Sequence, residues 1–134
     1  MLTQKRAGTY LEDQVKFASP IGLILLLYDK AIQMLKQSST NLRAPQRDLM
    51  EKGRTLCVAV DIIAELQAVL DRERGGEIAA KLDALYGYML DRLTLANYEN
   101  NPALIDEVVG LLEELREGWR IVPSTTGGKT SPAL

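Results

Sequence analysis

Four stretches of this chain repeat apolar residues at every third or fourth position, and polar, glycine-containing or proline-containing segments separate them. Such spacing places the apolar side chains along one face of an α-helix. Ser19 and Pro20 open the first stretch, and Asn101 and Pro102 open the fourth. Each pair offers a capping oxygen followed by a proline suited to a first helical turn. The pattern therefore predicts four amphipathic helices and favours no strand.

The two middle helices are predicted to meet at a pair of glycines. We expect the second helix to run from about Gln46 to Arg74, where Gly75 and Gly76 favour a left-handed turn that ends it. The side chains expected to face the core in the four helices are Ile21, Ile24, Leu25, Tyr28, Ile32, Leu35, Leu49, Leu56, Cys57, Val60, Ile63, Ala64, Leu70, Ile78, Leu82, Leu85, Met89, Leu93, Ala96, Leu104, Val108, Leu111, Leu115 and Trp119.

The expected fold is all-α, an antiparallel up-down four-helix bundle, because short connectors between helices of similar length favour antiparallel neighbours. A chain of 134 residues suits a single domain. We assign the bundle to residues 19–122. Residues 1–18 show no sustained period and are predicted to form a mobile N-terminal arm. Residues 123–134 are rich in Thr, Ser, Gly and Pro and are predicted to form a disordered tail.

Each helix carries apolar residues over a wider arc than one core stripe requires. The additional positions are Leu23, Leu27, Met34, Val58, Ile62, Leu66, Val69, Ala79, Tyr86, Leu90, Ile105, Val109 and Leu112. Packing against two neighbours in the bundle, or cover by the N-terminal arm, would explain them. They would equally form grooves that accept apolar anchors from a partner helix. Gly87, between two tyrosines, is a hypothetical point of close approach by such a partner.

Charge and cysteine content exclude several classes of function. Sixteen basic and eighteen acidic residues give a net charge of −2, which disfavours nucleic acid as a partner. The longest apolar run, Ile21 to Leu27, is far shorter than the roughly 20 residues of a membrane-spanning helix, and no secretion signal is recognisable. Cys57 is the single cysteine, so a disulfide framework is excluded, and we expect a buried thiol in a reducing cytoplasm.

Catalytic chemistry is not indicated by the residue types present. The chain has no histidine, which is the side chain most used for proton transfer near neutral pH and the commonest metal ligand. Asp61 with Glu65, and Glu113 with Glu117, are carboxylate pairs on shared helix faces, but no His or Cys joins them as in a di-metal bundle site. We therefore predict no enzymatic activity, no catalytic or metal-binding residues and no cofactor.

A series of short motifs extends from Tyr10 to about Arg120. In chain order these are Tyr10 with Val15 before Ser19-Pro20, Leu27-Tyr28-Asp29, Leu70-Asp71 leading to Gly75-Gly76-Glu77-Ile78, Leu82-Asp83-Ala84-Leu85-Tyr86-Gly87-Tyr88-Met89, Leu93 with Ala96-Asn97, and Leu112-Glu113-Glu114-Leu115-Arg116-Glu117-Gly118-Trp119. In this order and spacing they resemble the FliS family of flagellar export chaperones. Lys30 and Lys81 depart from the family pattern, which usually has a small residue and an asparagine there.

The resemblance implies a function as well as a fold. It implies a cytoplasmic protein that binds the C-terminal region of flagellin, prevents premature filament assembly and delivers the subunit to the flagellar type III export gate. Other cytoplasmic flagellar factors are further implied partners, and membrane insertion is not expected. The resemblance also implies that the arm around Tyr10 covers part of the binding site when no client is present.

Together, the additional stripes and the resemblance predict a set of partner-binding residues. Tyr10 and Val15 would form a displaceable lid. The residues expected to line apolar pockets are Leu23, Leu27, Ile62, Leu66, Tyr86 and Leu90, with the Tyr86 hydroxyl at a pocket rim. The alternative is a helical homo-oligomer in which identical subunits cover the stripes. A third reading, a metal or small-molecule enzyme built on a bundle, would require a bound metal or cofactor.

Overall fold

The computed structural model describes residues 20–121, and the predicted arm and tail lie outside this range. Four helices account for the described fold: α1 Pro20–Arg43, α2 Leu49–Ala68, α3 Arg72–Glu99 and α4 Pro102–Arg120. No β-strand occurs within these residues. The all-α prediction is therefore confirmed. None of these four helices combines the length and apolar character that crossing a lipid bilayer requires.

The helices form a ring in which each packs against its neighbours in the chain and α4 closes against α1. Ion pairs along the α1–α4 contact show the antiparallel arrangement, since Asp29 near the start of α1 meets Arg116 near the end of α4. Arg43, at the end of α1, meets Asp106 near the start of α4 at 2.8 Å. The up-down four-helix bundle is confirmed. The contacts of α3 with its two neighbours are the least extensive in the ring.

The second helix is shorter than predicted at both ends. The side chain of Asp48 accepts a hydrogen bond from the backbone N–H of Glu51 at 3.1 Å, which caps the helix. As a result α2 begins at Leu49 and not at Gln46. It ends at Ala68, well before the glycine pair that was predicted to end it.

A second aspartate starts α3 ahead of the glycines. Asp71 accepts a hydrogen bond from the backbone N–H of Arg74 at 2.9 Å, so a helical turn forms between Arg72 and Gly75. The prediction that the glycine pair ends the second helix is wrong. Instead Gly76, with a φ of 50°, kinks α3 near its start.

Two polar contacts set the register of α2 against α3. Lys52 is buried, and its ammonium donates hydrogen bonds to the carbonyl oxygen of Asn97 at 3.2 Å and to the side-chain oxygen of Asn100 at 2.6 Å. A cation at this position also opposes the negative end of the α3 dipole. At the other end, the Gln67 amide donates to the carbonyl oxygen of Asp83 at 3.1 Å.

The core draws on all four helices, but its boundary differs from the predicted stripes. Leu49, Cys57, Ala64 and Ile78 were expected to face inward and are exposed. Other side chains assigned to the additional stripes are buried, namely Met34, Leu66, Ala79, Tyr86, Ile105, Val109 and Leu112. The reason is clearest in α4, where the core-facing arc centres on Leu112 and leaves Leu111 at its partly exposed edge. The core-facing arcs are wider than one stripe per helix.

Candidate partner-binding grooves

An open groove remains between α2 and α3 after the four helices have packed. Its volume is about 310 Å³, and most of its accessible lining is apolar. The lining residues are Gly53, Leu56, Cys57, Val60, Leu93, Thr94 and Asn97. An apolar cleft of this kind in the free protein is the type of surface that receives side chains from a partner.

Small side chains on both walls keep this groove open. Gly53, Cys57 and Val60 follow one another at four- and three-residue spacing along α2, and so share a helix face. Thr94 and Asn97 occupy the facing wall on α3. A Cβ atom added to Gly53 would meet no heavy atom within 4 Å. The space next to Gly53 is therefore not filled by neighbouring side chains.

Two large side chains are highly exposed near the start of α2 and the end of α3. Met50, about one turn before Gly53 in α2, is 88% exposed, and Tyr98, about one turn after Thr94 in α3, is 86% exposed. Each helix thus contributes one uncovered side chain beyond the groove. Exposed methionines and tyrosines are common at interaction surfaces because they offer large contact areas. Met50 and Tyr98 therefore add exposed surface at the end of α2 and α3 where the groove lies.

Helix geometry places three predicted site residues, Leu23, Leu27 and Ile62, on the side of the bundle where α1 packs against α2. Asp29, Lys36 and Arg43 of α1 form ion pairs with α4. Leu23 and Leu27 lie about half a turn around α1 from these charged residues, on the side towards α2. Ile62 lies on the side of α2 away from Gln67, which faces α3. All three leucine and isoleucine side chains are partly buried. Leu90, another residue predicted to line a pocket, is also partly buried. It lies on α3 and is therefore not on the same side of the bundle as Leu23, Leu27 and Ile62.

The remaining two described site residues are core residues. Leu66 and Tyr86 are each 2% exposed. The Tyr86 hydroxyl lies 2.5 Å from the Tyr28 hydroxyl, and the Trp119 indole donates to the same Tyr28 oxygen at 3.3 Å. Burial raises the pKa of the Tyr86 phenol, and so do its hydrogen bond with Tyr28 and the repulsion that two adjacent phenolates would experience. The prediction that the Tyr86 hydroxyl lies at a pocket rim is therefore wrong, because this hydroxyl is buried and pairs with the Tyr28 hydroxyl inside the core.

Gly87 lies beside a side chain of α2. A Cβ atom added there would be in ordinary contact, at 3.5 Å, with the side-chain nitrogen of Gln67. Its role as a point of close approach by a partner stays a hypothesis. Tyr10 and Val15 fall outside the described residues, so their predicted role as a lid stays a prediction.

On the opposite side of α3, a polar cluster joins α3 to α4. The Tyr88 hydroxyl donates to Glu107 at 2.5 Å, and the Arg92 guanidinium donates to the other carboxylate oxygen at 2.7 Å. These bonds hold the pKa of Glu107 below its usual range, and the bond to Glu107 raises that of Tyr88. The Arg92 guanidinium also lies 5.7 Å from the Tyr88 ring centre. Within residues 20–121, no three Cys, Asp or Glu side chains are grouped to hold a metal ion.

The groove was not predicted, because it lacks the stripes of large apolar residues that mark a binding face in a sequence. The walls depend instead on Gly53, Thr94 and Asn97, which contribute by being small or polar. The feature of the sequence that indicates the groove is the spacing of Gly53, Cys57 and Val60, which places these residues on one face of α2. Small residues at such spacing indicate a place where another chain can approach a helix closely.

Comparison with known proteins agrees with the resemblance seen in the sequence. The sequence profile of the family described as flagellar protein FliS matches residues 3–126. The flagellar secretion chaperone FliSB of Pseudomonas aeruginosa is 43% identical over 109 residues, which cover 81% of this chain and 85% of the relative. The flagellar secretion chaperone FliS of Salmonella typhimurium is 43% identical over 115 residues, 85% and 84% of the two chains. The flagellar secretion chaperone FliS of Bacillus subtilis is 32% identical over 121 residues, which cover 90% of this chain and 87% of the relative.

Proposed function

This chain belongs to the FliS family, whose named relatives are flagellar secretion chaperones, and we propose that it binds the C-terminal segment of flagellin in the bacterial cytosol. The bound segment is kept from premature polymerisation and is delivered to the flagellar type III export apparatus. The observation that carries the proposal is the open apolar groove between α2 and α3. This role is one of binding and transport and involves no catalysis.

The physical basis is the burial of apolar surface shared by the chaperone and its client. Each Å² of apolar surface removed from water contributes roughly 25 cal/mol. A disordered client loses conformational entropy when it is ordered on the bundle, so several separate apolar contacts are needed for stable binding. The groove, the exposed Met50 and Tyr98, and the partly buried Leu23, Leu27 and Ile62 supply contacts on more than one face. Leu90, partly buried on α3, is a further proposed contact.

The predicted lid is part of this proposal. Tyr10 and Val15 would cover part of the apolar surface outside the α2–α3 groove in the free protein and leave it when the client binds. A cover of this kind limits self-association through exposed apolar patches. Because the client must displace the cover, its removal should increase the apparent affinity for the client. Deletion of residues 1–18 would therefore tighten client binding.

Calorimetry with a flagellin fragment containing the last several dozen residues tests the proposal. Thr94 lines the groove, and an arginine there would place a charged side chain on the apolar surface. We expect Thr94→Arg to weaken binding about tenfold or more. Thr40→Arg, the same change at an exposed position of α1, is the matched control and should bind within about twofold of the unmodified protein.

Two results would contradict the proposal. The first is the absence of binding between the unmodified protein and the fragment. The second is a large oligomer, independent of concentration in light scattering, that excludes the fragment. That oligomer would favour a homo-oligomeric structural role, in which copies of this chain cover each other's apolar surfaces.

A further inference from the structure

Two carboxylates on the rims of the α2–α3 groove have no partner among residues 20–121. Asp61 on α2 and Asp91 on α3 are both exposed. Neither forms an ion pair or a hydrogen bond with another described side chain, whereas some carboxylates of the bundle do, such as Glu113 and Asp106. These two negative charges are therefore available to an incoming group.

The helix register places the two carboxylates across the groove from one another. Asp61 follows the groove residue Cys57 by four positions, and Asp91 precedes the groove residue Thr94 by three, so each lies about one helical turn from the lining. Because α2 and α3 run antiparallel, with Lys52 beside Asn97 and Gln67 beside Asp83, the two carboxylates lie at about the same level along the bundle.

Three cations on α2 and α3 are already engaged. Arg54 pairs with Glu51 at 2.5 Å, and Arg72 pairs with Asp83 at 2.9 Å. Lys52 is buried and directs its ammonium to the end of α3. The rims therefore retain a negative potential that the bundle itself does not neutralise, although the groove between them is apolar.

We propose that the α2–α3 groove selects a client segment in which lysine or arginine side chains flank an apolar stripe. The apolar side chains enter the groove, and the cations meet Asp61 and Asp91 on either rim. This inference rests on the proposed function, since it specifies the chemistry of the segment that one of the binding surfaces accepts. Charges at an exposed rim contribute mainly to the rate of association and to the register of the bound chain.

The test compares two double variants that change the net charge equally. Asp61→Asn with Asp91→Asn removes the rim charges, and Glu73→Gln with Glu114→Gln removes two exposed carboxylates that also have no ion pair among the described residues. Affinity for the flagellin C-terminal fragment is measured by calorimetry from about 50 to 300 mM salt, a range over which screening of exposed charges increases. Thermal unfolding verifies that each variant is folded.

We expect the rim variant to bind about fivefold more weakly at low salt and to lose most of the salt dependence of binding. The control variant should retain both the affinity and the salt dependence. If the unmodified protein binds the fragment but the two double variants behave alike, the rim assignment is wrong and the proposed function stands. If the unmodified protein does not bind the fragment at any salt concentration, the proposed function fails with it.

Discussion

Within the part of the chain that the structure describes, Ser38 is the single buried side chain whose polar atom has no hydrogen-bond partner. A buried hydroxyl without a partner loses its hydration without compensation. We expect Ser38→Ala to raise the free energy of unfolding by about 1 kcal/mol. Chemical denaturation measures this directly.

The neighbouring serine provides the matched control. Ser39 donates to Asp106 at 2.6 Å and accepts from Arg43 at 2.5 Å. Ser39→Ala removes both bonds and should lower the free energy of unfolding by about 1 kcal/mol. Opposite signs for the same substitution at adjacent positions would attribute the difference to hydrogen bonding, because helix propensity changes equally in both. Destabilisation by Ser38→Ala would show that its hydroxyl is satisfied in solution.

The buried phenols make stability sensitive to alkaline pH. Burial raises the pKa values of Tyr28 and Tyr86 above the ordinary value of about 10. Above pH 10 the unfolded chain therefore loses phenolic protons that the folded chain keeps, and the free energy of unfolding falls as pH rises. Below pH 10 both states keep these protons, so the two groups cause no pH dependence.

Denaturation between pH 8 and pH 11 measures this effect. The double variant Tyr28→Phe with Tyr86→Phe should show a smaller decrease in stability over that range than the unmodified protein. Tyr98→Phe, at a position that is 86% exposed, is the control and should leave the decrease unchanged. An equal decrease in all three proteins would assign the alkaline sensitivity to other groups.

At the scale of elements, the helix starts that combine a cap with a proline were predictable, whereas those that depend on a lone aspartate were missed. Pro20 and Pro102 begin α1 and α4 as predicted. Asp48 and Asp71 fix the starts of α2 and α3 by accepting backbone N–H bonds. Both aspartates are suitable helix caps, but two adjacent glycines are the stronger local indication of a helix end.

The core-facing arc of each helix could be predicted only within about one residue position. Apolar residues in α4 cover a wide arc, and periodicity alone does not show which of two adjacent residues faces the core. The packing of α4 against α1 decides this in favour of Ile105 and Leu112 over Leu104 and Leu111. The same ambiguity placed Leu66 and Tyr86 in grooves, although the structure buries them.

Glycine substitutions in two helices separate stability from binding. Gly53 in α2 and Gly110 in α4 both have free space where a Cβ would lie. Alanine at either position should raise the free energy of unfolding by roughly 0.5–1 kcal/mol, since it restricts the unfolded chain and favours the helix. Because Gly53 lines the groove, Gly53→Ala should also weaken binding of the flagellin fragment.

Gly110→Ala is the control for this comparison, because Gly110 is exposed on α4, a helix that contributes no residue to the groove lining. It should stabilise the bundle and leave client affinity unchanged. Calorimetry and chemical denaturation of the two variants measure both properties. Equal client affinity in the two variants would show that the wall at Gly53 does not contact the client.

At the scale of the whole molecule, the distribution of packing determines where an open groove remains. The contacts of α1 with α2 and α4 are the most extensive, and α3 is the most loosely packed helix of the ring. A groove is therefore left along α3, bounded by small side chains on α2. The number and direction of the helices followed from the sequence. The groove could not be predicted, because it depends on how closely two helices approach.

Cys57 allows a direct test of the central claim, that the α2–α3 groove is open in the free protein and filled by the client. It is the single cysteine of the chain, is exposed and lines the groove. The measurement is the rate of thiol labelling of the unmodified protein with and without a cysteine-free flagellin C-terminal fragment. We predict rapid labelling in the free protein and at least about tenfold slower labelling at saturation, as access to a buried thiol requires dissociation or opening. An unchanged labelling rate at saturation would contradict the account.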